Sequence, residues 1–266
     1  MEISVIIPTF KPQEYLGECL DSLKAQTLPM DKFEVIIVLN GDKDPYFNQI
    51  EEYRADHAVA LNIKLLHTQT CGVSNARNIG LDNAAGRFIV FIDDDDKVSP
   101  SYLEELYSKA DDTTIVIANS YNYAEEDPDV LIPVRTTELH KILSPNGRTN
   151  HIEARRFFFS ACMKLIPAHA IGNRRFDTSL TIGEDCIFMF LISDRTANID
   201  FTSSEAIYYR RLRNGSALSK QNSRGRWKIF WNDLRMIATY TRIYICGMRR
   251  YSFFFYLTRI RGSIHL

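Results

Sequence analysis

Residues 72–96 read GVSNARNIGLDNAAGRFIVFIDDDD, and they contain the segment that decides the fold. The run at 88–92 is short, apolar and rich in β-branched and aromatic residues, as expected of a buried strand, and four aspartates follow it directly. Residues 73–85 place small and apolar side chains at helical spacing. A helix that leads at once into a buried strand predicts one half of a β-α-β unit.

The same alternation extends upstream. Residues 3–8, 34–39 and 62–67 have the length and composition of buried strands. Between the first two, apolar side chains recur at helical spacing from Tyr15 to Leu23, which predicts a covering helix. The pattern predicts an α/β fold, with a Rossmann-like, mostly parallel sheet and flanking helices. Ligands of such folds bind beyond the carboxyl ends of the strands.

The pattern is less regular after the aspartates. Ser99 followed by Pro100 is a helix-start signal and predicts a helix to about residue 109. Residues 125–150 contain three prolines and mixed polarity, which predicts a long irregular excursion. The other predicted elements are strands at 114–118 and 206–212, a buried helix at 184–193 and helices beyond residue 224.

Charge is distributed unevenly. Residues 206–266 hold 13 lysines and arginines and one acid, Asp233, which gives a formal charge of +12. Residues 1–205 carry the compensating excess of acids, so the chain has a net charge of −1. A basic extension on an acidic body points to phosphate-bearing ligands or anionic lipid. Nucleic acid is not predicted, because the acidic body would repel it and no recognition motif is present.

The five cysteines are odd in number and scattered, without the spacing of a zinc site. The first residues also lack the basic start and apolar stretch of a secretory signal. We therefore expect a cytoplasmic protein with reduced thiols.

The four adjacent carboxylates, Asp93 to Asp96, repel one another, and a fold tolerates them best where a cation resides. A hard divalent ion, Mg²⁺ or Mn²⁺, suits them, with diphosphate oxygens completing its coordination. The other acid of an Asp-x-Asp pair would bind a ribose hydroxyl. The alternative is a solvated acidic turn that caps the next helix.

Two further strand ends carry candidate nucleotide-binding groups. Pro8, Thr9 and Phe10 end the first strand, and Asn40 ends the second. Their hydroxyl and amide groups suit the edge of a base, although turn formation explains them equally well.

Arg77 stands alone among small and polar residues, and its guanidinium suits a phosphate or a uracil carbonyl. A surface ion pair is the alternative. Glu184 and Asp185 follow Gly183 at the start of a buried helix, where acids are favourable simply as caps.

In their order and spacing, these segments resemble the family 2 glycosyltransferases of GT-A fold over about residues 3–215, most specifically through residue 100. The resemblance implies a catalytic domain at 1–215, with a nucleotide-binding half at about 1–100 and an acceptor half at about 101–215. A basic, aromatic, helical extension would occupy 216–266. The segments that carry the resemblance are SVIIPTFKPQEYLGECLDSLKAQT, EVIIVLNGDKD, GVSNARNIGLDNAAGRFIVFIDDDD, KLIP and IGEDCIFMF.

The resemblance implies an inverting single displacement from a nucleotide diphosphate sugar, a UDP-sugar by preference, with Mn²⁺ or Mg²⁺. The acceptor would be a hydroxyl of a glycan or lipid-linked saccharide in surface polysaccharide synthesis. Asp185 would be the general base, and Asp95 the first metal ligand with Asp93 as its partner. The nucleotide-sugar would contact Pro8, Thr9, Phe10, Asn40, Arg77, Asp93 and Asp94, with Arg211 and Arg213 on the diphosphate.

One departure concerns the base. The family commonly has two aspartates after its second strand, and this chain has Leu39 and Asn40. A neutral amide still offers a donor and an acceptor to the uracil imide.

Three other functions fit parts of the sequence. A haloacid-dehalogenase-like phosphatase needs its aspartates on the first strand and Thr or Val where Lys97 stands. A nucleotidyltransferase needs a glycine-rich phosphate loop near the N-terminus, which is absent from the sequence. A degenerate transferase would bind a sugar nucleotide without turnover.

The extension also has alternatives. The aromatic and arginine-rich residues 225–266 suit contact with an anionic membrane surface that brings the enzyme to a lipid-linked acceptor. They equally suit packing on the catalytic domain, or a homodimer contact.

Overall fold

The computed structural model describes residues 1–180, 182–212 and 226–263. Two β-sheets and the helices that cover them form this part of the chain. The strands are β1 (Ile3–Thr9), β2 (Phe33–Asn40), β3 (Ile63–Thr68), β4 (Phe88–Phe91), β5 (Lys97–Val98), β6 (Thr114–Ile117), β7 (Asn119–Ala124), β8 (Leu131–Pro133), β9 (Lys164–Pro167), β10 (Asn198–Phe201) and β11 (Ile207–Leu212). The α-helices are α1 (Tyr15–Lys24), α2 (Tyr46–His57), α3 (Val73–Asn83), α4 (Tyr102–Ser108), α5 (Arg135–Leu143), α6 (Ala168–Ile171), α7 (Glu184–Ile192), α8 (Arg226–Cys246) and α9 (Phe253–Ser263).

The main sheet has seven strands in the order β10-β6-β9-β4-β1-β2-β3. Strand β1 pairs in parallel with β2 and β4, and β2 pairs in parallel with β3, whereas β9 runs antiparallel to β4 and β6. The predicted mostly parallel sheet is therefore confirmed. Since β1, β2 and β4 run in the same direction, their carboxyl ends meet at one edge of the sheet.

Helices α1 and α3 lie against this sheet as the sequence predicted. The buried side of α1 consists of the apolar residues between Tyr15 and Leu23 that recur at helical spacing. Helix α3 comes unusually close to β1, since a Cβ atom added to Gly80 would lie 2.4 Å from Ile6 Cγ2. Glycine is needed there for packing, and the close approach holds Arg77 of the same helix at the sheet edge.

The predicted helix start at Ser99 and Pro100 is wrong. Ser99 instead continues the pairing of β5 with β11: its backbone N–H donates to the Ile207 carbonyl, and its hydroxyl accepts from the Ile207 N–H at 2.9 Å. The Ser99 hydroxyl, which would accept a hydrogen bond in a helix cap, accepts one from the neighbouring strand instead. Helix α4 begins at Tyr102.

The long irregular excursion predicted at 125–150 is also wrong in part, because it contains β8 and α5. Strand β8 adds to a second, four-stranded sheet in the order β5-β11-β7-β8. The sequence did not predict β7, whose residues NSYNYA are too polar to read as a buried strand.

Helices α8 and α9 pack on α7. Met236, Tyr240 and Phe255 are buried in the same apolar core as the main sheet, and the Phe190 ring of α7 lies 5.2 Å from that of Tyr240. The Tyr251 hydroxyl donates to the Leu191 carbonyl at 2.9 Å. The described part of the extension therefore packs on the core through one side of its helices. None of the described helices combines the length and apolarity that crossing a bilayer requires.

Candidate active site

The four aspartates after β4 divide into an inward and an outward pair. Asp94 accepts a hydrogen bond from the Thr9 hydroxyl, and Asp96 accepts from the Tyr208 hydroxyl at 2.6 Å. Burial, with the charges of Asp93 and Asp95, raises the pKa of Asp96. Asp93 and Asp95 remain partly exposed at the sheet edge, with 42% of the Asp93 side chain accessible. These two are the more accessible carboxylates of the four, and the contact of the buried Asp94 with the nucleotide-sugar stays a prediction.

Arg77 joins this acidic edge to the start of α7. Its Nη2 lies 2.8 Å from Asp93 Oδ1, and its Nη1 lies 2.6 Å from Asp185 Oδ1. The guanidinium is buried over the Phe176 ring, 5.4 Å from its centre. Burial lowers the pKa of Arg77, but the charges of Asp185 and Asp93 more than offset it and raise the value above its ordinary range. Arg77 is a fixed cation, and the predicted alternative of a surface ion pair does not describe it.

Asp185 is held at both carboxylate oxygens. Oδ1 accepts from Arg77, and Oδ2 accepts from the Ala161 backbone N–H at 3.1 Å. The preceding Gly183 has φ +82°, and a Cβ atom there would lie 2.5 Å from the Met236 thioether. This left-handed backbone conformation favours glycine, and α8 packs against the start of α7 here. Burial and the charge of Asp185 raise the pKa of the neighbouring Glu184.

Asn40 connects three of the segments predicted to bind the nucleotide. Its Nδ2 donates to the Thr9 carbonyl at 2.7 Å, and its Oδ1 accepts from the Gly72 N–H at 2.9 Å. The side chain is buried, so its amide already fixes the ends of β1 and β2 against the start of α3. A contact of Asn40 with the base stays a prediction.

The aromatic ring of Phe10 lies exposed at the end of β1. Phe10 is half-exposed, whereas Pro8 and Thr9 are buried in β1. A Cβ atom at Gly41, where φ is +101°, would lie 2.8 Å from the ring. Glycine at this position leaves room for the ring beside the end of β2.

Arg211 is bound to other groups of the chain at the aspartate turn. Its Nε donates to the Asp95 carbonyl at 3.1 Å, and its Nη2 lies 2.7 Å from Glu18 Oε2. The guanidinium also packs over the Tyr123 ring and is largely buried. With these partners it supports the aspartate turn, and a contact of Arg211 with the diphosphate stays a prediction. Arg213, predicted beside it, lies outside the described residues.

The sequence analysis missed several groups that shape the site. Tyr208 hydrogen-bonds both to Asp96 and, through its hydroxyl oxygen, to the Asp93 N–H at 3.1 Å. Its only signal was a place in a predicted strand. The Ala161 N–H could not be found from residue types, because any residue except proline carries one.

The exposed acids are compatible with a divalent cation. Carboxylate oxygens are the ligands that Mg²⁺ and Mn²⁺ prefer, and Asp93 and Asp95 lie on the accessible side of the turn. Within the described ranges, no group of three His, Cys, Asp or Glu side chains is arranged to hold a metal by itself. An ion here would complete its coordination with water or with oxygens of a second ligand, such as a diphosphate.

Comparison with known proteins shows the family and the fold to which the chain is similar. The family model for glycosyl transferase family 2 matches residues 4–180. Glycosyltransferase GlyA of Streptococcus pneumoniae is 28% identical over 227 residues, 81% of this chain and 31% of that protein. The putative glycosyltransferase EpsH of Bacillus subtilis is 37% identical over 129 residues, 48% of this chain and 35% of that protein.

Among solved structures, S. aureus TarS 1-349 in complex with UDP-GlcNAc has a TM-score of 0.73 at 22% identity, over 92% of this chain and 67% of that one. This likeness shows a shared fold. The chain spans about a third of the length of the two curated relatives above. Because the family model covers well over half of its residues, the chain belongs to glycosyl transferase family 2.

Proposed function

We propose that the chain transfers a sugar from a UDP-sugar to an acceptor hydroxyl, with inversion at the anomeric carbon. The observation that carries this is the buried Arg77, which joins the exposed acid Asp93 to the carboxylate of Asp185. Family membership and the TarS fold, which is described in complex with UDP-GlcNAc, support the choice of donor. Residues 1–100 would bind the donor, and residues 101–215 the acceptor.

Asp185 is the proposed general base. Its carboxylate takes the proton from the acceptor hydroxyl as the oxygen attacks the anomeric carbon, and the bond from that carbon to the diphosphate breaks with its electrons on UDP. Hydrogen bonds from Arg77 and Ala161 orient the carboxylate. Such positioning supplies a large part of the rate.

Asp95, with Asp93, would hold the proposed Mn²⁺ or Mg²⁺. When bound, such an ion offsets the charge that builds up on the leaving UDP. Arg77 contributes a second, permanent positive charge at the same edge.

The test is calorimetric binding of UDP, GDP, CDP and UDP-GlcNAc, with and without Mn²⁺, to the wild type and Asp95→Ala. We expect UDP to bind best, and Mn²⁺ to strengthen its binding about 10-fold or more in the wild type only, because Asp95 anchors the ion. Asp82→Ala is the matched control, since Asp82 pairs with Arg175 on the surface, away from the site. If no nucleotide binds under any condition, the transferase proposal is wrong.

The proposed acceptor is a glycan or a lipid-linked saccharide. A lipid-linked acceptor lies at a membrane, and α8 has an exposed surface that suits contact with one. Trp227 and Trp231 are 76% and 65% exposed, and Leu234 and Ile245 continue the same side of the helix at helical spacing. Exposed arginines flank this stripe, among them Arg242, and the helix's single acid, Asp233, is buried. We propose that this stripe rests on an anionic membrane surface.

Vesicle sedimentation tests this contact. The wild type is expected to bind phosphatidylcholine vesicles that contain phosphatidylglycerol, and removal of both tryptophans (Trp227→Ala, Trp231→Ala) should weaken binding by about 10-fold or more. Val59→Ser is the control, because Val59 is 78% exposed on another part of the chain. If the double tryptophan variant and Val59→Ser sedimented equally, the stripe would not be the membrane contact. If the wild type were a dimer in light scattering and the tryptophan variant a monomer, the stripe would bind a second copy of the chain instead.

A further inference from the structure

Lys164 is a buried cation that the proposed chemistry does not use. It is the first residue of β9, in the middle of the main sheet, and its side chain is completely inaccessible. No carboxylate of the described residues pairs with it by an ion pair. Burial lowers its pKa to about 8. Since burying an unpaired charge is costly, a simply structural position would be filled better by an apolar side chain.

The partners of Lys164 are two backbone carbonyls of a single turn. Its Nζ donates to the Ser160 carbonyl at 2.8 Å and to the Cys162 carbonyl at 3.0 Å. Within the same turn, the Ser160 hydroxyl accepts from the Cys162 N–H at 3.1 Å, and Met163 has φ +59°. A non-glycine residue in this conformation is uncommon and needs support from its surroundings. Lys164 supplies that support from inside the sheet.

The turn delivers one group to the active site. Between the two carbonyls bound by Lys164 lies Ala161, whose N–H donates to Asp185 Oδ2. The thiol of Cys162 also lies 3.9 Å from Arg77 Nη2. The turn therefore contacts both members of the Arg77–Asp185 pair, and its shape determines where the second carboxylate oxygen points.

We propose that Lys164 is a positioning residue: by binding the carbonyls on either side of Ala161, it aims the Ala161 N–H at Asp185 and fixes the orientation of the general base. The inference rests on the proposed function, because it assigns Asp185 as the base. Lys164 does not touch the donor or the acceptor; it acts through the turn.

The test compares Lys164→Met, which keeps the length of the side chain but removes its donors, with Lys141→Met, an exposed lysine that pairs with Glu138. Lys164→Met is expected to lower kcat about 30-fold or more, with the donor KM within about 3-fold, because misplacement of a catalytic group costs turnover rather than binding. In an Asp185→Asn background the same substitution should have almost no further effect. An equal loss in both backgrounds, or a loss confined to KM, would overturn the proposal.

Ser160→Ala provides a milder variant if Lys164→Met does not fold. It removes only the hydroxyl that accepts the Cys162 N–H, so a several-fold loss of kcat that disappears with Asp185→Asn is expected. The amide proton resonance of Ala161 gives a readout that needs no activity: it should move upfield in Lys164→Met as the bond to Asp185 weakens. If this shift occurs while Asp185→Asn retains full turnover, the positioning stands and the assigned base is wrong. An unchanged resonance would overturn the positioning itself.

Discussion

Asp185→Asn is expected to lower kcat by about 10³-fold while leaving UDP affinity within about 3-fold of the wild type, because an amide cannot accept the acceptor's proton. The geometry should survive. The substituted amide still offers an oxygen to Arg77 or to the Ala161 N–H, which hold the carboxylate in the wild type. UDP release from the UDP-sugar, measured with an acceptor or with water, reports kcat, and calorimetry reports UDP binding.

Asp82→Asn is the control for this substitution. It makes the same chemical change on the exposed side of α3, where the ion pair with Arg175 is worth little. Its kcat should equal that of the wild type. If Asp185→Asn kept more than about a tenth of the wild-type kcat, a general base that contributes about 10²-fold or more could not be Asp185. Glu184, the adjacent acid, would then be the next candidate.

The sheet could be predicted because its strands are buried on both faces. Largely apolar runs at 3–8, 34–39 and 88–92 allow few alternatives, and each became a strand to within two residues. The second sheet could not be predicted in this way. Its strand β7 is half polar. A serine such as Ser99 can either cap a helix or bind a neighbouring strand, and its residue type does not distinguish the two.

The sequence singled out candidate side chains of the site by their residue type, whereas the backbone groups beside them could not be predicted, and the roles of these side chains stay predictions. Asp93, Asp185 and Arg77 were each identified from residue type and position, and the structure brings them into contact. Their direct pairing was not foreseen, because it depends on α7 folding back onto the end of β4. Arg211 was also identified from residue type and position, but the sequence did not predict that its guanidinium pairs with Glu18.

Replacing Arg77 by Met is expected to lower kcat/KM by about 10³-fold and to destabilise the fold by about 3 kcal/mol, since two carboxylates lose a buried partner. Solvent offsets part of that stability loss, because Asp93 is 42% exposed. Arg77→Lys should recover only part of the activity. A single ammonium cannot reproduce the two separate contacts that Nη1 and Nη2 make with Asp185 and Asp93.

A double-mutant cycle separates the structural share of Arg77 from its share in catalysis. If repulsion and an unpaired charge cause the instability, Arg77→Met should destabilise an Asp185→Asn protein much less than the wild type, as measured by urea unfolding. Activity should not recover in the same double variant, because the base is gone. If Arg77→Met cost the same stability in both backgrounds, the Arg77–Asp185 contact would contribute nothing to the fold. Arg77 would then serve Asp93 and the donor alone.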